Sequence, residues 1–108
     1  MEVPLEIEAP EAARLLKTPG AAALLDVREP HEYTRCQIPG SLHIPMRQIP
    51  ARLGELPADR PLLVLCHMGV RSMHVTQFLR ANGFGQASNI AGGIDAWSET
   101  VDPALPRY

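Results

Sequence analysis

The chain has 108 residues, of which 45% are hydrophobic and 20% charged, and its formal net charge is −2. This length predicts one domain spanning residues 1–108, with an extended tail from about residue 100, because two domains would each lack a sufficient core. The charge gives no reason to expect nucleic acid or a membrane surface as a partner, and two cysteines are too few for a disulfide framework. With no signal-peptide pattern and no apolar run of the ~20 residues that span a membrane, the expected location is the cytoplasm.

Apolar runs of strand length alternate with helix-like segments along the chain. The predicted strands cover residues 4–9, 22–27, 42–44, 60–66 and 87–93. Two predicted helices have Pro10 and Pro30 in their first turns, and two more cover residues 48–56 and 94–100. A fifth predicted helix runs from near Ser72 to a stop at Asn82 and Gly83. In that helix after Ser72, we expect Val75, Phe78 and Leu79 to share the buried face. This alternation predicts an α/β domain with a mostly parallel sheet and helices on both faces.

The most apolar strand runs into a cysteine, in the segment "PLLVLCHMGVRS" (residues 61–72). Ligands of parallel α/β domains bind outside the carboxyl ends of the strands, where Cys66 is predicted to lie. The six residues "CHMGVR" separate this strand from the next helix, and Gly69 permits the tight curl of so short a loop. Backbone N–H groups of the loop and the helix N-terminus are therefore expected to surround the thiol and favour the thiolate.

Two side chains in this segment fit the same hypothesis. Arg71 supplies a permanent positive charge suited to an oxyanion, and Ser72 is expected to cap the helix or donate its hydroxyl to the loop. The alternative interpretation is that Cys66 is a small buried hydrophobic residue. The glycine, arginine and serine that follow it favour the chemical interpretation.

Asp26 and Arg28 follow the neighbouring strand and have two interpretations. In the first, they lie beside the loop and organise it or guide an anionic donor. In the second, they form a local salt bridge and an N-cap for the next helix. The second is favoured, since opposite charges at a strand end commonly pair.

Three other features carry expectations. Gly92 and Gly93 are expected to let the last strand turn tightly and pass near the loop, and Trp97 is expected to pack in the core or at its rim. The four histidines are too scattered to predict a metal site.

Three motifs in order resemble the rhodanese (sulfurtransferase) family in its small single-domain form. They are "LLDVREPHEYTRCQIPGSLHIP", "LLVLCHMGVRS" and "NIAGGIDAW", and the resemblance runs from about Ala22 to Trp97. It implies a central parallel sheet of about five strands, and it makes Cys66 the nucleophile that takes up sulfane sulfur as a persulfide. The substrate-binding residues that it implies are His67, Met68, Gly69, Val70, Arg71 and Ser72. Cys36 departs from the family pattern, which generally has glycine there, and this puts the local turn geometry in question.

The resemblance implies a thiosulfate sulfurtransferase that moves sulfane sulfur from thiosulfate or a related small donor to a thiol or cyanide. A protein sulfur acceptor is an alternative to these small acceptors, and no metal or organic cofactor is implied. Rival interpretations are a sulfur-carrier or binding module with little turnover, a Cdc25-like phosphatase, and an arsenate reductase with Cys36 as resolving thiol. Arg71 comes five positions after Cys66, whereas phosphatase loops place it at the sixth, and the shorter loop favours a cradle for one sulfur atom.

Overall fold

Five short parallel strands form the sheet in the computed structural model, which describes residues 3–108. The strands are β1 (Glu6–Ile7), β2 (Ala23–Asp26), β3 (Leu42–His43), β4 (Leu62–Leu65) and β5 (Ala87–Ile90). Their spatial order is β1-β5-β4-β2-β3, and every strand pair is parallel. The predicted parallel sheet of about five strands is therefore confirmed.

The helices connect consecutive strands or follow the last one. They are α1 (Ala9–Leu16), α2 (Pro30–Arg35), α3 (Val70–Ala81) and α4 (Gly93–Thr100). The predicted helix at residues 48–56 is replaced by two 3₁₀ helices, Met46–Gln48 and Pro50–Glu55. Within the second of these, Arg52 leaves the helical region with a φ of −122°, which interrupts any continuous helix.

The core lies on both faces of the sheet, and β4 at its centre is buried throughout. Leu63 and Leu65 pack with residues of α1 and α4 on one face, which we call the α1/α4 face. Leu62 and Val64 pack with residues of α3 on the opposite face, the α3 face. Alternate side chains of one strand thus serve two apolar layers, as expected for a strand covered on both sides.

Helix α3 differs from its prediction at its start and on its surface. It begins at Val70, two residues before Ser72, so Val70 and Arg71 belong to its first turn and not to the loop. Its buried residues are Ser72, Val75, Thr76 and Leu79. Because these positions follow the i, i+3, i+4, i+7 spacing of one helix face, Phe78 lies outside that face and is 37% exposed.

The C-terminal segment from about residue 100 packs over the surface of the domain. Leu105 and Tyr108 pack against the cluster on the α1/α4 face, and Arg107 forms an ion pair with Asp95 of α4. The segment therefore lies against α4, and its Tyr108 reaches His67, next to the carboxyl end of β4. No helix in residues 3–108 has both the length and the apolar character needed to cross a lipid bilayer.

Candidate functional site

The sulfur of Cys66 lies at the carboxyl end of β4, at the base of a curled loop. The Gly69 N–H donates to Cys66 Sγ at 3.1 Å, and the Ser72 hydroxyl oxygen lies 3.2 Å from the same sulfur. Cys66 is only 1% exposed. Donors aimed at a sulfur stabilise its thiolate form, so this arrangement can present a nucleophile to a small reagent.

Three carbonyl groups of the loop are bound from outside by other elements. The N–H of Ile94 donates to the Cys66 carbonyl at 2.8 Å, and the N–H of Asp95 donates to the His67 carbonyl at 3.1 Å. The side chain of Asn89 donates to the Gly69 carbonyl at 3.1 Å. In a trans peptide the N–H points away from the carbonyl, and no peptide bond in the described chain is cis. The N–H groups that follow these carbonyls therefore point away from α4 and from Asn89.

Two glycines allow the start of α4 to approach the loop this closely. A Cβ on Gly93 would lie 2.5 Å from the carbonyl oxygens of both Cys66 and His67, and Gly93 has a φ of +60°. Gly69, with a φ of +100°, would place a Cβ 3.0 Å from the backbone nitrogen of Gly92. The expectation that Gly92 and Gly93 pass near the loop is confirmed by these contacts.

Arg71 points to α2 and binds the carboxylate of Glu32 through two nitrogens. The distances are 2.6 Å from Nη1 to Oε1 and 2.9 Å from Nη2 to Oε2. These bonds lower the pKa of Glu32 from 4.5 to about 2, against the opposing effect of burial. The same pairing raises the pKa of Arg71, with a smaller contribution from the nearby Cys66. Two of its five N–H donors are therefore committed to an anion of the protein itself.

Asp26 and Arg28 form a salt bridge whose two side chains are both fully buried, with Nη2 2.7 Å from Oδ2. Burial opposes the charge of Arg28, but the bonds to Asp26 and Tyr108 raise its pKa overall. Arg28 also donates to the carbonyls of Glu32 and Cys36, so it anchors both α2 and the residue that follows it. The local salt bridge is thus present. The predicted N-cap is not at these residues, since Glu29 precedes α2 and its N–H donates to Glu32 Oε1.

Tyr108 links this buried pair to the loop. Its hydroxyl accepts from Arg28 Nη1 at 3.1 Å and donates to Glu32 Oε2 at 2.9 Å, and burial is the main cause that raises its pKa to about 12. Its ring stacks on the ring of His67, with 3.9 Å between centroids. Asp26 and Arg28 therefore reach the loop indirectly, through Tyr108 and Glu32.

The sequence-predicted site residues take different places around the sulfur. His67, Met68 and Gly69 form the loop, whereas Val70, Arg71 and Ser72 lie on the first turn of α3. Met68 and Val70 are 54% and 68% exposed and project from the rim, while Ser72 is buried next to the sulfur. Sequence reasoning missed Glu32, Asn89 and Tyr108, which are far from Cys66 in the chain and reach the site only through the fold.

Cys36 lies apart from the loop sulfur in the packing of the core. Cys36 belongs to the cluster on the α1/α4 face and Cys66 to the cluster on the α3 face, and both thiols are free. Cys36 ends α2 with extended backbone, at a φ of −164°, which any residue can adopt. The family glycine is therefore not required for this turn. Trp97 is buried in the α1/α4 cluster, as predicted.

No group of three or more His, Cys, Asp or Glu side chains within residues 3–108 is arranged to hold a metal ion. The chemical groups gathered at the end of β4 are thus a sulfur, backbone N–H groups, a hydroxyl and a paired arginine.

The chain is similar to known proteins over most of its length. It is 36% identical over 93 residues to a sulfurtransferase of Allochromatium vinosum, covering 86% of this chain and 87% of that one. It is 42% identical over 91 residues to the chloroplastic Rhodanese-like/PpiC domain-containing protein 12 of Arabidopsis thaliana, and the match covers 81% of this chain but only 30% of that protein. Its fold matches the crystal structure of a rhodanese-like domain protein from Staphylococcus aureus with a TM-score of 0.81 and 31% identity, covering 100% and 99% of the two chains. The family profile described as "Rhodanese-like domain" matches residues 8–100, and the chain therefore belongs to the rhodanese-like family.

Proposed function

We propose that this protein is a sulfurtransferase that carries sulfane sulfur on Cys66 as a persulfide. The observation that carries the proposal is the position of Cys66 Sγ, which receives the Gly69 N–H and lies beside the Ser72 hydroxyl in a loop with its carbonyls tied outward. Such a setting stabilises negative charge on sulfur both before and after transfer.

The reaction has two steps that balance without an added oxidant or reductant. The Cys66 thiolate attacks the outer sulfur of thiosulfate, a bond forms between Sγ and that sulfur, and sulfite leaves with the electron pair of the broken S–S bond. The persulfide keeps its negative charge on the outer sulfur, where the N–H groups of the loop stabilise it. Cyanide or a thiol then takes the outer sulfur as thiocyanate or a new persulfide, and the thiolate returns.

Arg71 has a narrower role in this reaction than its position in the sequence suggested. Its two terminal nitrogens hold Glu32, so it does not offer a free bidentate grip to a leaving oxyanion. We assign it the task of fixing the first turn of α3 and of adding positive charge near the sulfur. This pairing also argues against a phosphatase, which needs its loop arginine to face the phosphate oxygens.

The donor we propose is a small one, thiosulfate or a related sulfane compound, because Cys66 is only 1% exposed. The exposed apolar side chains of Met68 and Val70 at the rim suit a protein acceptor as well as a small thiol or cyanide. No step in this reaction requires a cofactor.

The test is thiocyanate formation from thiosulfate and cyanide by the wild type, Cys66→Ser and Cys36→Ser. We expect Cys66→Ser to lose at least about a thousand-fold in rate, and Cys36→Ser to keep most of it. An aryl phosphate should turn over no faster with the wild type than with Cys66→Ser. A folded wild type that forms no thiocyanate would favour the binding-module interpretation, and Cys66-dependent phosphate release would favour the phosphatase.

A further inference from the structure

Asn89 is a buried polar residue on an inner strand of the sheet, and its side chain makes hydrogen bonds to three partners. Its strand β5 lies between β1 and β4, and the residue is 0% exposed. Its Nδ2 donates to Glu6 Oε2 at 2.7 Å and to the Gly69 carbonyl at 3.1 Å, and its Oδ1 accepts from the Ser72 hydroxyl. The reverse amide orientation would set an oxygen against a carboxylate and a carbonyl, so these partners fix Oδ1 toward Ser72.

The Ser72 hydroxyl therefore stands between two acceptors. Its oxygen lies close to Asn89 Oδ1 and 3.2 Å from Cys66 Sγ, but a hydroxyl carries a single hydrogen. When Cys66 is a thiol, the Ser72 hydrogen goes to Asn89 and the S–H group donates to the Ser72 oxygen. When Cys66 is a thiolate, the hydrogen has to turn to the sulfur, and the buried Asn89 oxygen loses its donor.

We propose that Asn89 is a positioning residue that competes with the Cys66 thiolate for the Ser72 hydrogen and so favours the persulfide over the thiolate. This inference rests on the proposed function. In the persulfide, Sγ is bonded to the outer sulfur and the negative charge has moved to that outer atom. The Ser72 hydrogen then returns to Asn89. The Ser72–Asn89 bond is present in the thiol and the persulfide and is broken only in the thiolate, which is thereby driven to accept sulfur.

The proposed competition and a purely structural role of Asn89 predict opposite changes in the pH midpoint of Cys66 alkylation. Asn89→Ala frees the Ser72 hydrogen for the thiolate, so we expect the pH midpoint of Cys66 alkylation by iodoacetamide to fall by about half a unit to one unit. Ser72→Ala should raise the midpoint, and adding Asn89→Ala to it should change nothing further. If Asn89 only held the loop in shape, its loss would disorder the donors and raise the midpoint in both backgrounds. All variants are made in the Cys36→Ser chain, which leaves one thiol.

Ser88→Ala is the matched control. Ser88 is the neighbouring buried residue of β5, and its hydroxyl has no hydrogen-bond partner among the described residues. Its loss should leave the alkylation midpoint within about 0.2 unit of the parent, since successive side chains of a strand point to opposite faces of the sheet and Ser88 faces away from the side of Asn89. A midpoint that falls equally in Ser88→Ala would overturn the proposal, because it would show a general effect of weakening the strand.

A second measurement needs no substitution at Asn89 and covers the case in which that variant does not fold. The chain has two asparagines, Asn82 and Asn89, and Asn82 lies on the surface. In protein labelled with carbon-13 and nitrogen-15 asparagine, the Asn89 side-chain signals should shift with pH at the midpoint of Cys66 alkylation. They should return toward their thiol position when thiosulfate is added, while Asn82 stays constant. An Asn89 signal that ignores Cys66 ionisation would overturn the proposal.

The outcome for Asn89 can be separated from the outcome for sulfur transfer. Alkylation and the asparagine signals follow ionisation of Cys66 and need no sulfur donor. If the wild type takes up no sulfur but the variants show the expected alkylation midpoints, the proposed function is wrong, and so is the claim that Asn89 favours the persulfide. The competition between Asn89 and the Cys66 thiolate for the Ser72 hydrogen would still be supported. In an active protein, Asn89→Ala should require several-fold more thiosulfate relative to sulfite for half persulfidation, and an unchanged ratio would overturn the inference.

Discussion

Glu32 is the acidic residue that holds Arg71 and Tyr108 in place beside the Cys66 loop. Its carboxylate binds Arg71 through both oxygens and also accepts the Tyr108 hydroxyl, although Arg71 lies 39 positions away and Tyr108 lies 76. A bidentate pair that is mostly shielded from solvent fixes geometry more firmly than an exposed one. At the scale of single residues, this contact decides which way Arg71 points.

We expect Glu32→Gln to lower the free energy of unfolding by about 2 kcal/mol at pH 7, because it leaves Arg71 without its anion. The folded pKa of Glu32 is depressed from 4.5 to about 2, so the stabilisation is complete above about pH 4.5 and is lost as the pH falls toward 2. Urea denaturation of both proteins from pH 7 to pH 3 measures the difference between their free energies of unfolding, which should become smaller as the pH falls.

Glu55→Gln is the control for that experiment. Glu55 also binds an arginine at two points, with Arg52 Nε and Nη2 both 2.8 Å from its carboxylate oxygens, but its side chain is 50% exposed, against 10% for Glu32. Solvent screens it, so its loss should change stability much less. If the loss of unfolding free energy in Glu32→Gln stayed constant across this pH range, the result would contradict the pairing of Glu32 with Arg71.

The sequence predicted the residues whose role follows from their neighbours in the chain. Cys66, Gly69 and Ser72 stand within one strand–loop–helix segment, and the structure brings all three together. The direction of Arg71 was not predictable, because its partner Glu32 comes from a distant helix. For Asn89 the sequence predicts only a place in a strand, since nothing in the neighbouring residues indicates that a buried asparagine binds a distant loop.

The start of α4 is the element that shapes the loop from behind. Its first amides bind the carbonyls of Cys66 and His67, and this contact exists only because Gly93 has no side chain. The sequence predicted the close approach from the glycine pair, but the use of α4 amides to orient the loop carbonyls depends on the placement of two elements in space. At this scale, one helix end determines where the N–H groups of another segment point.

Gly93→Ala tests this arrangement. The added Cβ would meet two carbonyl oxygens at 2.5 Å, so α4 has to move away from the loop. We expect a loss of about 3 kcal/mol in stability and at least a hundred-fold loss in thiocyanate formation. The measurements are urea denaturation and the cyanide assay on the fraction that remains folded.

Gly20→Ala provides the comparison, because Gly20 also has a positive φ, +80°, but nothing within 4 Å of its added Cβ. It should lose about 1 kcal/mol from backbone strain and retain its activity. If Gly93→Ala behaved like Gly20→Ala in both assays, the close packing of α4 on the loop would not matter for function.

Across the whole molecule, the first strand and the C-terminal segment both connect to the Cys66 loop, the first strand through Asn89 and the C-terminal segment through Tyr108. Glu6 near the N-terminus binds Asn89, and Tyr108 near the C-terminus stacks on His67. The α/β class, the parallel sheet and its helices on both faces were predictable from alternating apolar segments. The return of the tail was not, since a proline-containing segment carries no periodicity that says where it packs.

We expect Tyr108→Ala to lower stability by about 2 kcal/mol and to speed hydrogen exchange of the amides in residues 66–70, because the His67 ring loses its stacking partner. Tyr108→Phe should keep the loop protected and lose only the bonds of the hydroxyl. Arg107→Ala serves as the control, since its pairing with Asp95 is exposed and screened. Loop exchange that is the same in all four proteins would mean that the tail does not hold the loop.

The central claim is that Cys66 carries sulfur, and the most direct measurement is the intact mass of the protein after incubation with thiosulfate. The wild type and Cys36→Ser should each become heavier by one sulfur atom, and the added mass should disappear on adding cyanide. Cys66→Ser should gain nothing. A wild type whose mass stays unchanged, or a gain that persists in Cys66→Ser, would contradict the account.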